Sequence, residues 1–113
     1  MKQTRWLVGL VLAALGVWAA AAYAAEFKPS ETYDKYCAKC HGDDGKAKTM
    51  RGKMMKARDF TDADWQSGVT DADLIKAVTD GKDDMPPFGK KLTAEQIESL
   101  VKNDVRGFAP KKE

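Results

Sequence analysis

Both cysteines and the only histidine of the chain fall within five consecutive residues, Cys37-Ala38-Lys39-Cys40-His41. With no second cysteine pair and no second histidine, the chemistry of this cluster rests on the pentapeptide and on residues of other types folded against it. Structural zinc is disfavoured, because its usual set takes four ligands dominated by Cys and His. A thioredoxin-like pair needs a strand before the motif and a parallel sheet behind it, yet the flanks carry no alternating runs of β-branched residues. A simple disulfide accounts for the cysteines but leaves His41 without a reason. Covalent haem attachment accounts for all three residues. On a helix, Cys37, Cys40 and His41 stand at i, i+3 and i+4 and share one face, so two sulfurs can reach the haem vinyls while the imidazole reaches the iron.

A second axial ligand, if there is one, must be Met or Lys. After the first residue the methionines are Met50, Met54, Met55 and Met85, and the ordinary role of any of them is flexible core filling. Met85 differs in setting. It lies in Asp83-Asp84-Met85-Pro86-Pro87-Phe88-Gly89, where proline fixes φ and biases the preceding residue toward extended backbone. Such a loop can hold a thioether at one spot, so Met85 is preferred over Met54 and Met55, which stay open as alternatives.

The chain is compositionally two segments. Residues 6–25 carry no charge and follow Lys2 and Arg5, and Ala22-Tyr23-Ala24 supplies the small residues of a signal-peptidase site. Residues 1–24 therefore read as a secretory signal that directs residues 25–113 to the periplasm. The alternative is an uncleaved membrane anchor, because the uncharged run would make a helix of roughly 30 Å. Lys2 and Arg5 are the only charges in the signal, so its removal leaves 17 of the 19 basic residues against the same 17 acids. A neutral domain argues against nucleic acid as a partner, which needs a net basic footprint.

The remainder reads as helices and loops with no strand pattern, an all-α chain packed around one prosthetic group. Ser30 is an N-cap for a first helix, in which Tyr33, Tyr36, Cys37 and Cys40 form one stripe, with Gly42 and Gly45 as its stop. Thr70-Asp71-Ala72-Asp73 opens a second helix over residues 71–80. Thr93-Ala94-Glu95-Gln96 opens a third, with Ile97, Leu100, Val101, Val105 and Phe108 at helical spacing. The span from Thr49 to Gly68 is less legible, although Asp62 to Trp65 suits one helical turn.

In this order the motifs resemble a class I c-type cytochrome, in particular the small single-haem bacterial electron carriers. The matching points are Cys37 to Gly42 with Gly45 behind, Arg58-Asp59-Phe60-Thr61 with Trp65, Asp80-Gly81-Lys82, Met85-Pro86, and Leu92-Thr93 leading into Ile97 to Phe108. The resemblance implies one haem c per chain, Cys37 and Cys40 as thioether attachments, His41 as proximal iron ligand and Met85 as distal ligand. It also implies that Trp65 can donate to a haem propionate. Phe88, Trp65 and the Ile97 stripe suit pocket walls and ordinary core packing equally. Two positions depart from the family. Residues 42–84 contain no proline near which the partner of the ligand histidine is usually found, so the hydrogen-bond acceptor of His41 is unassigned. Asn103 replaces a tyrosine that packs the last helix on the first, a contact that Phe108 can supply in another register.

The function implied is outer-sphere electron transfer between redox protein partners, soluble or membrane-bound, with no small-molecule substrate. The competing readings are a haem enzyme and a gas or redox sensor with a displaceable distal ligand. No second histidine and no acid–base pair support the enzyme, apart from Asp83 and Asp84, which more simply solubilise their loop. Lys46, Lys48, Arg51, Lys53, Lys56 and Arg58 form an acid-free run, followed by Asp59, Asp62, Asp64, Asp71 and Asp73. If the fold separates these runs, the resulting dipole steers an acidic partner.

Overall fold

A computed structural model of the chain describes residues 27–111; the signal assigned to residues 1–24 lies outside them. The elements are α1 (Glu31–Tyr36), α2 (Ala38–His41), α3 (Met50–Met55), α4 (Ala63–Gly68), α5 (Asp71–Asp80) and α6 (Ala94–Ser99). A π-helical turn (Leu100–Val105) and a 3-10 turn (Arg106–Phe108) prolong α6. Among the described residues there is no strand and no helix long and apolar enough to cross a membrane.

Capping residues set most of the boundaries. The Ser30 hydroxyl accepts from the Tyr33 amide to open α1, and Thr70 with Asp73, and Thr93 with Gln96, close reciprocal boxes at α5 and α6. Asp62 caps α4 by accepting from the amides of Asp64 and Trp65. The first helix is expected to be continuous, but it is divided at Cys37, whose φ of −113° departs from helical geometry. The His41 amide still reaches the Cys37 carbonyl at 3.0 Å, so α2 carries on from α1. Gly42, at φ +81°, ends it.

Helix α3 falls in the stretch whose sequence is hard to read, and it contains a glycine at its third position. Thr49 explains both its start and its place. The Thr49 hydroxyl accepts from the Gly52 amide and donates to the Cys40 carbonyl, each at 2.9 Å. The helix thus rests on α2, and a Cβ at Gly52 would overlap the Cys40 carbonyl oxygen. Glycine disfavours helix by about 1 kcal/mol relative to alanine, and here that cost is outweighed by the close approach.

The core is built from Tyr33, Phe60, Leu74, Val78, Phe88, Leu92, Ile97, Leu100, Val101 and Val105. Tyr33 and Val101 are its completely enclosed members, and the Tyr33 hydroxyl donates to the Gly42 carbonyl at 2.7 Å. The last helix, expected to be regular, widens into a π turn, which shifts the helical phase of the residues beyond it. Asn103 faces solvent while Asp104 is 4% exposed. The Asp104 carboxylate accepts from the Ser30 amide at 2.9 Å and the Ser30 hydroxyl at 2.8 Å, and Phe108 packs on Tyr33 with ring centroids 5.2 Å apart. The two ends of the fold are therefore joined by a carboxylate and a phenyl ring in place of the tyrosine.

Two substitutions test this packing. Gly52→Ala should destabilise the protein by about 1–3 kcal/mol, as overpacking does, although helix propensity alone favours alanine. A denaturant midpoint that rises would show that propensity wins. Asp104→Ala should cost about 2 kcal/mol by removing the buried, charged acceptor of both Ser30 hydrogen bonds, whereas Asn103→Ala should leave the midpoint nearly unchanged.

Candidate functional site

The α2 helix carries Cys37 at its N-cap and Cys40 and His41 in its only turn. Both cysteines are unlinked and half-buried. Burial, reinforced by the charges of Asp104 and Cys40, pushes the Cys37 thiol up to about 12. A thiol-redox site needs the reverse, a thiolate stabilised near neutral pH. Among the described residues no three His, Cys, Asp or Glu side chains converge as a metal cluster would require.

His41 is buried, and its Nδ1 lies 3.0 Å from the Arg58 carbonyl oxygen. A carbonyl only accepts, so Nδ1 carries the proton and Nε2 is left with a free lone pair. Burial holds the imidazole pKa below its ordinary value, with the Arg58 hydrogen bond opposing it in part. A neutral ring with Nε2 available is the form that binds metal. The acceptor left open by the absence of proline is therefore the backbone of Arg58, in the loop between α3 and α4.

The ring of His41 also stacks on Phe60, with centroids 4.1 Å apart and planes 16° apart. Phe60 in turn stacks on Trp65 at 5.6 Å and on Phe108 at 6.1 Å. Gln66 fixes this column: its amide Nε2 donates to the carbonyls of Phe60 and Val105, both at 2.8 Å. Arg106 holds Gln66 through Nη1, at 2.7 Å from its carbonyl and 2.9 Å from Oε1, while its Nη2 donates to the Val69 carbonyl and its Nε to Asp71. Neither Gln66 nor Arg106 stands out in the sequence, since a single Gln or Arg at a helix end carries no periodic signal.

Met85 is half-buried against the core. Its backbone exchanges hydrogen bonds with Lys82, amide to carbonyl at 2.9 Å and the reverse at 3.1 Å. Asp83, at φ +52°, makes the tight turn between them. Gly81 at φ +81° lets the chain double back, because a Cβ there would lie 2.7 Å from the Met85 carbonyl. The loop is pinned beyond the prolines by Phe88 and Gly89, whose amides donate to Val78 and Thr79 of α5. Of the alternatives, Met54 is 75% exposed. Met55 faces inward, with its Sδ 3.9 Å from the Cys40 Sγ. Phe88 and Ile97 are buried core residues and Trp65 is half-buried.

This donor set fits a covalently held haem. Two free thiols and an imidazole with an open Nε2 sit on one short helix, and a restrained thioether sits on a separate loop.

Comparison with known proteins agrees. The family model of cytochrome c oxidase, cbb3-type, subunit III matches residues 24–102. The chain is 33% identical to a cytochrome c6 of Synechococcus sp. over 104 residues, covering 89% of this chain and 88% of that one. It is 32% identical over 79 residues to the cbb3-type cytochrome c oxidase subunit CcoP of Azospirillum brasilense, covering 69% of this chain and 27% of that protein. The chain thus spans about a quarter of the length of the oxidase subunits it matches. The solved KustC0563 c-type cytochrome superposes with a TM-score of 0.66 at 40% identity, covering 70% of this chain and 94% of that one. With its helical fold and cysteine–histidine centre, the chain belongs to the cbb3-type subunit III family of class I c-type cytochrome domains.

Proposed function

We propose that this protein is an exported, single-haem electron carrier that passes single electrons between redox proteins and has no substrate of its own. The observation that carries the reading is the Nδ1 contact of His41 with the Arg58 carbonyl, beside two unlinked cysteines on the same helix. Residues 1–24 act as the signal that takes the chain to the periplasm. Cys37 and Cys40 would hold one haem c by two thioethers, and the iron would take the His41 Nε2 and the Met85 thioether as its ligands. Bound haem supplies the one-electron ferrous and ferric couple. The Arg58 carbonyl keeps His41 in the ligating tautomer, and the Phe60 stack keeps its ring from turning. The Met85 thioether and the apolar surroundings favour the lower iron charge, which sets the potential on the positive side. The relatives include an oxidase subunit and a cytochrome c6, which supports redox proteins as partners, free or within a membrane complex.

Mass spectrometry of the exported protein is expected to give residues 25–113 plus one haem that survives acidic organic extraction. A mass of bare polypeptide overturns the attachment.

Met85→Ala should abolish the weak band that a methionine–ferric haem pair gives at the red edge of the visible, lower the reduction potential, and let carbon monoxide bind the ferrous protein, all with haem still attached. Met54→Ala and Met55→Ala should do none of these. Loss of the band in Met55→Ala and its survival in Met85→Ala would move the ligand. Wild-type protein that lacks the band and binds carbon monoxide readily favours the enzyme or sensor reading.

A further inference from the structure

The acid-free run of residues 46–58 has a structural setting that its sequence does not disclose. Lys46, Lys48, Arg51, Lys53, Lys56 and Arg58 are all exposed, and among the described residues none of their side chains forms a hydrogen bond or ion pair. Among the described residues the neighbouring acids do not pair with them. Asp44 turns its carboxylate onto the Lys46 amide, Asp59 onto Thr61, and Asp62 onto the start of α4, while Asp71 pairs with Arg106. Inside this positive surface, Met50 and Met54 are 80% and 75% exposed, the most exposed of the large apolar side chains in the described residues. They stand four apart on α3 and share one of its faces.

The same helix leans on the haem-attachment segment. Thr49 bonds the Cys40 carbonyl, and Met55, next to the exposed Met54, brings its sulfur to 3.9 Å from that of Cys40. A protein seated on Met50 and Met54 is therefore separated from Cys40 by the thickness of α3 alone. We propose that this face of α3 is the docking surface for an acidic redox protein, with Met50 and Met54 as an adaptable apolar centre and the six cations as its rim. The proposal rests on the electron-carrier reading. An apolar centre within a charged rim is the usual plan of a protein interface, and methionine suits one that must release its partner. Uncompensated positive charge beside it steers carboxylate-bearing partners and raises the encounter rate. A lipid surface fits less well, because an interfacial helix needs a longer face rich in Trp, Phe or Leu, and α3 is six residues long with two exposed methionines.

The test uses haem-loaded protein on gold electrodes coated with carboxylate-terminated alkanethiol, which stands in for an acidic protein face, and soluble polyglutamate as a second probe. In Lys48→Glu/Lys53→Glu/Lys56→Glu the electron-transfer rate at low ionic strength should fall about tenfold, within the range of electrostatic steering, and lose its salt dependence. The reduction potential and absorption spectrum should not change, so a failure here is distinct from failure of the carrier reading, which would alter both. The control Lys28→Glu/Lys76→Glu/Lys102→Glu changes net charge equally on other faces and should keep most of the rate. In NMR titrations with polyglutamate, the amides of residues 46–58 should shift first. Equal loss in the two variants, or no loss in the first, overturns the proposal. So does cosedimentation with phosphatidylglycerol vesicles at physiological salt that only the first variant abolishes, which would give the face to a membrane.

Discussion

The hydrogen bond from His41 Nδ1 to the Arg58 carbonyl is the contact on which the rest of the arrangement depends. It decides which ring nitrogen carries the proton, and so which one is left to bind a metal. A backbone acceptor does this without a side chain that could titrate or rotate away. The carbonyl must nevertheless be aimed, and residue 58 lies between a six-residue helix and a helix that begins at Ala63. Its aim is set at both ends. On one side Thr49 and Gly52 seat α3 on the Cys40 carbonyl. On the other, the Phe60 amide donates to the Gly45 carbonyl at 2.7 Å, closing the loop against the turn that follows His41.

The C-terminal turns complete the enclosure. The π turn at Leu100–Val105 lets consecutive residues serve different neighbours: Asp104 binds Ser30 at the start of α1, and the Val105 carbonyl accepts from Gln66. Arg106 then closes on the carbonyls of Gln66 and Val69 and on Asp71. Apart from the exposed Ser30, each of these polar groups belongs to a residue that is at least partly buried, so the loss of one partner exposes the others to a desolvation cost. Such networks hold a small core to a single arrangement only when every member is paired. Here no fully buried side-chain nitrogen or oxygen among the described residues lacks a partner. The column from His41 through Phe60 to Gln66 and Arg106 thus ties the imidazole to the last turn of the chain.

What could be read from the sequence followed local chemistry. The caps at Ser30, Thr70 and Thr93 mark helix starts where the structure has them, the single turn expected over Asp62 to Trp65 falls in α4 and its cap, and α5 runs over the expected residues 71–80. The Cys37, Cys40 and His41 cluster and the Met85 loop were legible because the residue types are scarce and the prolines restrictive. Helix α3 was not, since Met50–Met55 has a glycine in its interior and no apolar stripe. That glycine makes sense only with the Cys40 carbonyl beside it, a contact between segments that no local pattern encodes. The His41 acceptor was hidden for a similar reason: any residue has a carbonyl, so the identity of Arg58 says nothing about its role. The π turn was invisible too, because the stripe of Ile97, Leu100, Val101 and Val105 suits an ordinary helix equally well.

Charge is distributed by task rather than by sign alone. Acids cluster where the backbone offers unpaired amides: Glu31 and Asp34 in the first turn of α1, Asp64 in that of α4, Asp71 and Asp73 in α5, and Glu95 in α6. There they complement the positive end of the helix dipole, and the Thr70 backbone and hydroxyl bonds hold the Asp73 carboxyl below its ordinary range. Of the cations, only Lys76, Lys102 and Arg106 form ion pairs among the described residues, and the first two are exposed pairs of small energetic weight. A chain that is near neutrality in total can therefore present an unbalanced field, because residues 46–58 gather six cations with no acid among them. The positive charge of residues 46–58 has no such internal use, and it surrounds the helix that touches Cys40.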